Sequence, residues 1–399
     1  MFTLKDLKTE PPEWLLYPES QELLACLEGA GGEGRFVGGC VRDALLGIVS
    51  EDLDICTSLP PDEVMYALKE EGIRVLPTGL KHGTVTAMLG ERRFEVTTLR
   101  EDVETYGRHA EVRFTDDWQE DAARRDFTFN ALYMEGDGTL HDYFGGLADL
   151  ERGLVRFIGD PVERIKEDYL RILRYFRFLG RFSGTIFDQR SMEACRTERS
   201  GIRQLSAERI AKEILTLLAT DDPSFAVEKM IETEVWAQVF KSPANWIRFQ
   251  GLMRTQLRRP DPILRLAALI AGELPDPSFM RHGLRLSNRQ MKRLEALWTY
   301  RDLATDSRPF EEQIYRLGRD TYYDQVSLLI ADDPDNPHWK LQQEEGMKWQ
   351  MPEFPVSGQD LLETGLAAGP EIGIKLKELE QFWIDEKFQP SKSDLLSRY

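Results

Sequence analysis

Residues 35–46 read Arg35-Phe36-Val37-Gly38-Gly39-Cys40-Val41-Arg42-Asp43-Ala44-Leu45-Leu46, and after five intervening residues comes Asp52-Leu53-Asp54-Ile55-Cys56. The first piece is a short strand running into a double-glycine turn and then a helix. The second alternates polar and apolar side chains and reads as a strand. Residues two apart on a strand face the same side, so the Asp52 and Asp54 carboxylates point together while Leu53 and Ile55 turn to the core. Like charges held that close repel, and bound divalent cations are the usual compensation. Two oxygen-liganded Mg²⁺ ions there can activate a hydroxyl and stabilise a leaving pyrophosphate. The glycines Gly38 and Gly39 let backbone N–H groups approach a triphosphate, and Arg42 offers a fork of donors to phosphate oxygens. Taken singly, an Asp-x-Asp on an exposed strand and a Gly-Gly turn beside a surface arginine are common and carry little.

Further along, the strand at 93–99 places Glu95 among Phe94, Val96 and Leu99. A glutamate on the inner side of a strand is costly unless paired or metal-bound, which makes Glu95 a candidate third carboxylate; the alternative is an edge-strand residue in solvent. Arg124-Arg125-Asp126 abuts the apolar-rich run Phe127-Thr128-Phe129-Asn130-Ala131-Leu132, so these charges belong to an element boundary. Arg125 suits a triphosphate, and Asp126 can orient an arginine. The helical pattern over 163–179 carries Asp168 and Arg171 at i, i+3, where they are surface neighbours. One offers acceptors and the other a donor fork, and an acceptor in this place selects the exocyclic amine of cytosine or adenine over the carbonyl of uracil or guanine. Arg174 and Arg177 rotate off that face and extend about 13 Å along the axis, which suits phosphate or RNA backbone better than a base. An isolated Asp/Arg pair on a helix is otherwise an ordinary ion pair.

The first 150 residues are mixed α/β by this pattern, with a hairpin around Gly90 and a polar, weakly patterned loop at 101–118. From Pro161 onward the period is helical, including a helix at 205–218 with Ser206 as its N-cap. The fold class is therefore α+β: a head of mixed sheet and helices, followed by an all-helical remainder. At 399 residues and 41% hydrophobic, the chain has the composition of an ordinary globular protein, with no apolar run long enough to cross a bilayer and no signal-peptide pattern. Cys26, Cys40, Cys56 and Cys195 are scattered without CxxC spacing, which suggests reduced thiols and a cytoplasmic location; five dispersed histidines argue against zinc. The net charge of −18 sits awkwardly with nucleic-acid binding, but acid concentrates near the two ends. The middle is basic, with Arg171, Arg174, Arg177 and Arg181, then Arg248, Arg254, Arg258, Arg259 and Arg265. Such a distribution argues against long non-specific RNA binding and permits a compact partner held along one stripe.

In order, Gly-Gly-x-x-Arg-Asp, Asp-x-Asp, a strand glutamate, Arg-Arg-Asp and Glu-Asp-x-x-Arg resemble the class II tRNA nucleotidyltransferases, the bacterial-type CCA-adding enzymes of the polymerase-β-like superfamily. The likeness is close over residues 35–215. It implies metal binding by Asp52 and Asp54, and nucleotide contacts at Gly39, Arg42, Arg125, Asp168, Arg171, Arg174 and Arg177, with Gly38 and Asp126 beside them. It implies head 1–150, neck 151–220, body 221–320 and tail 321–399, with tRNA, CTP and ATP as partners and no obligate protein partner. Residues 206–213 look like the family's structural motif in the neck. Bacterial poly(A) polymerases share most of these motifs but carry a basic stretch soon after the Asp-x-Asp, where this chain has Gly79-Leu80-Lys81-His82-Gly83-Thr84. The loop that governs the C-to-A switch in the family reads Tyr106-Gly107-Arg108-His109-Ala110-Glu111-Val112 here, shorter than the usual doubly basic version. CC-only or A-only addition is the other enzymatic alternative. A catalytically silent RNA-binding protein on the same scaffold is the alternative of another class.

Overall fold

The computed structural model describes residues 10–106, 109–182, 184–240, 243–255, 259–272 and 278–398. The chain divides into two compact units, Met1–Trp246 with Arg258–Asn288, and Ile247–Leu257 with Arg289–Tyr399. In the first unit α1 (Pro18–Gly29) precedes β1 (Gly34–Val37), α2 (Gly39–Leu45) and β2 (Leu53–Thr57). Then come α3 (Pro61–Glu70), β3 (Arg74–Gly79), β4 (Thr84–Leu89) and β5 (Arg92–Thr98). A two-stranded antiparallel ribbon follows, β6 (Arg100–Tyr106) with β7 (His109–Phe114), and after it α4 (Trp118–Ala123), β8 (Leu132–Met134), β9 (Leu140–Asp142) and α5 (Gly146–Arg152). The helices α6 (Pro161–Glu167), α7 (Leu170–Phe182), α8 (Gln189–Thr197) and α9 (Ala207–Leu218) come next, and all later elements among the described residues are helices.

The seven-stranded sheet runs β3-β4-β5-β2-β1-β8-β9, and β2 with β5 is its parallel pair. That pair matters for the site, because its register sets Asp54 directly beside Glu95. Alternation is as expected on β2: Leu53 and Ile55 are buried and Asp54 is half-buried. The run behind Arg124-Arg125-Asp126 anchors α7 to the sheet through aromatic packing. Phe178 meets Phe127 and Phe129 edge-on at ring distances of 5.4 and 5.0 Å, Phe182 meets Phe129 at 5.1 Å, and Tyr175 stacks on Phe157 at 5.7 Å. Such pairs prefer these tilted and offset geometries, so the charged face of α7 is held over the ends of β1 and β2.

Three features differ from the expectation. The segment at 101–118 is largely the β6–β7 ribbon rather than a loop; its charged sequence hides the strand period, and residues 107 and 108 lie outside the described residues. The strand β3 was not expected. The helix expected over 163–179 is broken in two. Asp168 has extended backbone (φ −152°, ψ 105°), and its Oδ1 accepts the Leu170 N–H at 3.1 Å, so it ends α6 and caps α7. The basic stripe also changes meaning at two positions. Arg265 is buried and donates to the carbonyl oxygens of Leu218 (2.9 Å), Asp221 (3.0 Å) and Thr220, which closes the end of α9. In the second unit Arg248 is buried against the Tyr300 hydroxyl (2.8 Å) and Asp332. Both serve the fold, and Arg258 lies outside the described residues.

Candidate active site

An open cleft of about 500 Å³ lies between the sheet and α7, bounded by the glycine turn Gly38-Gly39, by Asp54, by the stretch 124–130 and by the neck helices. Among the described residues, seven arginines line it (Arg42, Arg124, Arg125, Arg171, Arg174, Arg177 and Arg209) against three aspartates (Asp54, Asp126 and Asp168). A surplus of positive charge is thus focused in a protein whose overall charge is −18. Concave walls of one sign raise the local concentration of an oppositely charged ligand, here a polyanion.

Gly38 makes the turn possible. Its φ of +73° and ψ of −119° suit only glycine, and a Cβ there would come within 3.6 Å of Arg125 Nη1. The turn sets off α2, which carries Arg42 inward. The Arg42 Nη1 donates to Asn130 Oδ1 at 2.6 Å, its Nε donates to Asp43 Oδ1 at 2.8 Å, and its guanidinium lies 5.0 Å from the Phe178 ring centre. Asp43 also receives Arg181 from α7 at 2.8 Å.

Asp54 is half-buried, and burial together with the neighbouring charges of Glu95 and Asp52 pushes its carboxyl up to about 6. Asp52 is exposed, just ahead of β2. Glu95 sits beside Asp54 on an interior strand, yet its own carboxylate pairs with Arg93 and it does not line the cleft. Among the described residues no three His, Cys, Asp or Glu side chains converge as a ready metal cage. Three mutually repelling acids with hard oxygen donors still match a cation of the magnesium type. Such an ion takes one or two carboxylates and completes its shell with water and substrate phosphate.

Arg125 is oriented from behind by a buried acid. Asp121 accepts from Arg125 (3.1 Å), Arg124 (2.6 Å) and the Tyr133 hydroxyl (2.7 Å), and Arg125 also reaches Cys56 Sγ at 3.1 Å. Burial opposes the charge on Asp121, but Arg125 and Arg124 prevail and hold its carboxyl well below the usual range. Asp126 does for Arg174 what the sequence suggested. It accepts Arg174 Nε at 2.7 Å and Asn130 Nδ2 at 3.0 Å, and against the opposing effect of burial these partners bring it to about 2.

The neck residues gather at the same cleft with altered partners. Asp168 and Arg171 meet through the backbone, the Arg171 N–H donating to the Asp168 carbonyl oxygen at 2.9 Å, while their side chains take other partners. Asp168 Oδ2 accepts Arg209 Nη2 of α9 at 2.6 Å. Arg171 donates to Glu167 and to the carbonyl oxygens of Arg164 (2.7 Å) and Arg124 (3.2 Å). Arg174 and Arg177 line the same cleft. Arg177 pairs with Glu213 at 3.1 Å, and burial and the nearby Arg174 pull its guanidinium down to about 10. Asp121 was not singled out from the sequence, and Arg209 and Glu213 were named only within the structural motif at 206–213, without their partners. Asp121 was findable, since it stands three and four residues ahead of Arg124 and Arg125, the spacing of helical ion pairs. The Asp168–Arg209 contact spans 41 residues and left no local sign.

A family described as the poly A polymerase head domain matches residues 34–156, and one described as a probable RNA- and SrmB-binding site of polymerase A matches residues 186–247. The mitochondrial CCA tRNA nucleotidyltransferase 1 of Danio rerio is 39% identical over 389 residues, covering 92% of this chain and 86% of that protein. Its counterpart in Homo sapiens is 37% identical, with coverage of 92% and 86%. Among solved structures, the Bacillus stearothermophilus CCA-adding enzyme in complex with CTP aligns with a TM-score of 0.72 at 26% identity, covering 96% of this chain and 98% of that one. At these identities over most of both chains, the chain belongs to the CCA tRNA nucleotidyltransferase family.

Proposed function

We propose that this protein adds C, C and A to the 3′ end of tRNA from CTP and ATP, without a nucleic-acid template and with release of pyrophosphate. The observation that carries it is the cleft that, among the described residues, seven arginines line together with Asp54 and the glycine turn. In this reading Arg42, Arg125 and Arg174, each held by its own carboxylate partner, bind and orient the triphosphate. Preorganised donors of this kind need little rearrangement as charge moves onto the leaving group. Asp168 accepts from the exocyclic amine of cytosine or adenine, with Arg171 as donor beside it. Glu95 tightens the electrostatic demand for a cation at Asp54 by lying next to it.

Nucleotidyltransferases of the polymerase-β-like type generally use divalent metals. Two Mg²⁺ ions held by Asp52 and Asp54 would activate the RNA 3′-hydroxyl and neutralise the departing pyrophosphate. The division into head 1–150, neck 151–220, body 221–320 and tail 321–399, with body and tail gripping the tRNA, belongs to this proposal. So does a cytoplasmic location; no helix of the described residues is long and apolar enough to cross a membrane.

The test is incubation with tRNA lacking its last three nucleotides and with CTP, ATP or both, followed by sequencing of the 3′ ends. CCA ends are expected with both nucleotides and CC ends with CTP alone. Long A tracts with ATP alone would favour the poly(A) reading suggested by the head-domain match, and unextended ends would mark a silent RNA-binding protein.

A further inference from the structure

We propose that Arg209 of α9 is a specificity-determining positioning residue, which holds Asp168 as a fixed acceptor toward the incoming base. The inference rests on the reading that Asp168 selects the base.

Base choice of this kind needs a carboxylate that only accepts and cannot turn. Uracil and guanine present a carbonyl where cytosine and adenine present an amine, so a carboxyl that rotates or carries a proton can satisfy the wrong base. Asp168 stands in the break between α6 and α7 with extended dihedrals, and its carbonyl oxygen accepts the Arg171 N–H at 2.9 Å, which leaves the carboxylate itself to be oriented by other groups. Its side chain is fixed at both oxygens. Oδ1 takes the Leu170 N–H at 3.1 Å, and Oδ2 takes Arg209 Nη2 at 2.6 Å. The first contact is neutral and comes from the adjoining helix. The second is ionic and comes from a different helix, so it ties the acid to the packing of α9. Arg171 is not available for this task, because its guanidinium is engaged by Glu167 and by the carbonyl oxygens of Arg164 and Arg124.

Arg209 is also in the right place. It lines the same cleft, and the pair is partly open to it, with side-chain exposures of 24% for Arg209 and 27% for Asp168. Each carboxylate oxygen accepts more than one hydrogen bond, so both keep capacity for a base after binding Leu170 and Arg209. One turn further along α9, Glu213 holds Arg177 in the same manner. The helix therefore presents a basic and an acidic side chain that match an acid and a base lining the cleft.

The experiment measures kcat/KM for CTP and UTP on tRNA lacking its terminal CCA, and for ATP and GTP on tRNA ending in CC. It compares wild type, Arg209→Gln, Arg209→Lys and Asp168→Ala, with melting curves for each. Arg209→Gln should lower the CTP/UTP and ATP/GTP ratios by about tenfold or more, leaving the KM for tRNA unchanged. Arg209→Lys, which keeps the charge but not the fork, should fall between Gln and wild type. A uniform fall for all four nucleotides would overturn the proposal. Loss of the folded state in both Arg209 variants would overturn it too, because the contact would then be structural. If Asp168→Ala keeps full discrimination, the assignment of base choice to Asp168 fails; if only the Arg209 variants keep it, the present inference alone fails.

Discussion

Replacing Asp54 with Asn should stabilise the metal-free protein at alkaline pH while abolishing its chemistry. Burial, Glu95 and Asp52 move the Asp54 carboxyl from an ordinary 3.8 to about 6 in the native state. A folded-state value above the unfolded one means that the native protein prefers this group protonated. Its favourable contribution is complete below the unfolded value and is lost as pH rises through about 6. A shift of about two units at about 1.4 kcal/mol each makes the ionised form unfavourable by about 3 kcal/mol above neutral pH. Asparagine has nearly the same shape and no charge, so this penalty disappears in the variant. Calorimetric melting in EDTA should show the variant above wild type by roughly 4–6 °C at pH 8, and level with it at pH 4. Adding Mg²⁺ at pH 8 should raise wild type and leave the variant unmoved, because a cation offsets the repulsion only where the acid exists. A variant that melts lower than wild type at pH 8 in EDTA, or a difference that does not depend on pH, would refute the electrostatic reasoning.

Two other substitutions probe the supports of the site. A Cβ at Gly201 would come 2.0 Å from the Tyr169 ring, next to Asp168, so Gly201→Ala should destabilise the protein by about 1–3 kcal/mol and weaken CTP and ATP use; chemical melts and steady-state kinetics would check both. Arg265→Ala removes three bonds to carbonyl oxygens at the end of α9, so it should lower stability by about 2–3 kcal/mol without changing the KM for tRNA among molecules that remain folded; a selective rise in that KM would return Arg265 to the RNA-binding surface.

Much of the head was legible because its signals are local. The alternation of Leu53, Asp54 and Ile55 and the glycine before α2 are decided by neighbours within a few residues. The aromatic run 127–129 announced a buried boundary for the same reason. The neck was legible as helix but not as the pair of helices it is. Periodicity over 163–179 is satisfied equally by one helix or by two with aligned faces, and what separates them is a side-chain cap at Leu170 together with Tyr169 packed where Gly201 has no side chain. Charge was the least legible property. Arg248 and Arg265 resemble surface arginines in sequence, yet both are buried on partners more than 40 residues away. Asp168 and Arg171 were placed side by side on one helix because helical spacing was assumed across a residue with extended backbone. These errors share one origin, the long-range pairing that a single sequence does not display.

The most direct measurement is a crystal structure of the protein with CTP and Mn²⁺, using the anomalous signal to locate the metal. The account predicts an anomalous peak at the Asp52 and Asp54 carboxylates, the triphosphate along Arg42, Arg125 and Arg174, and the cytosine amine within hydrogen-bond distance of Asp168. A nucleotide bound elsewhere, or metal density remote from Asp54 with the arginine-lined cleft left to water, would contradict it.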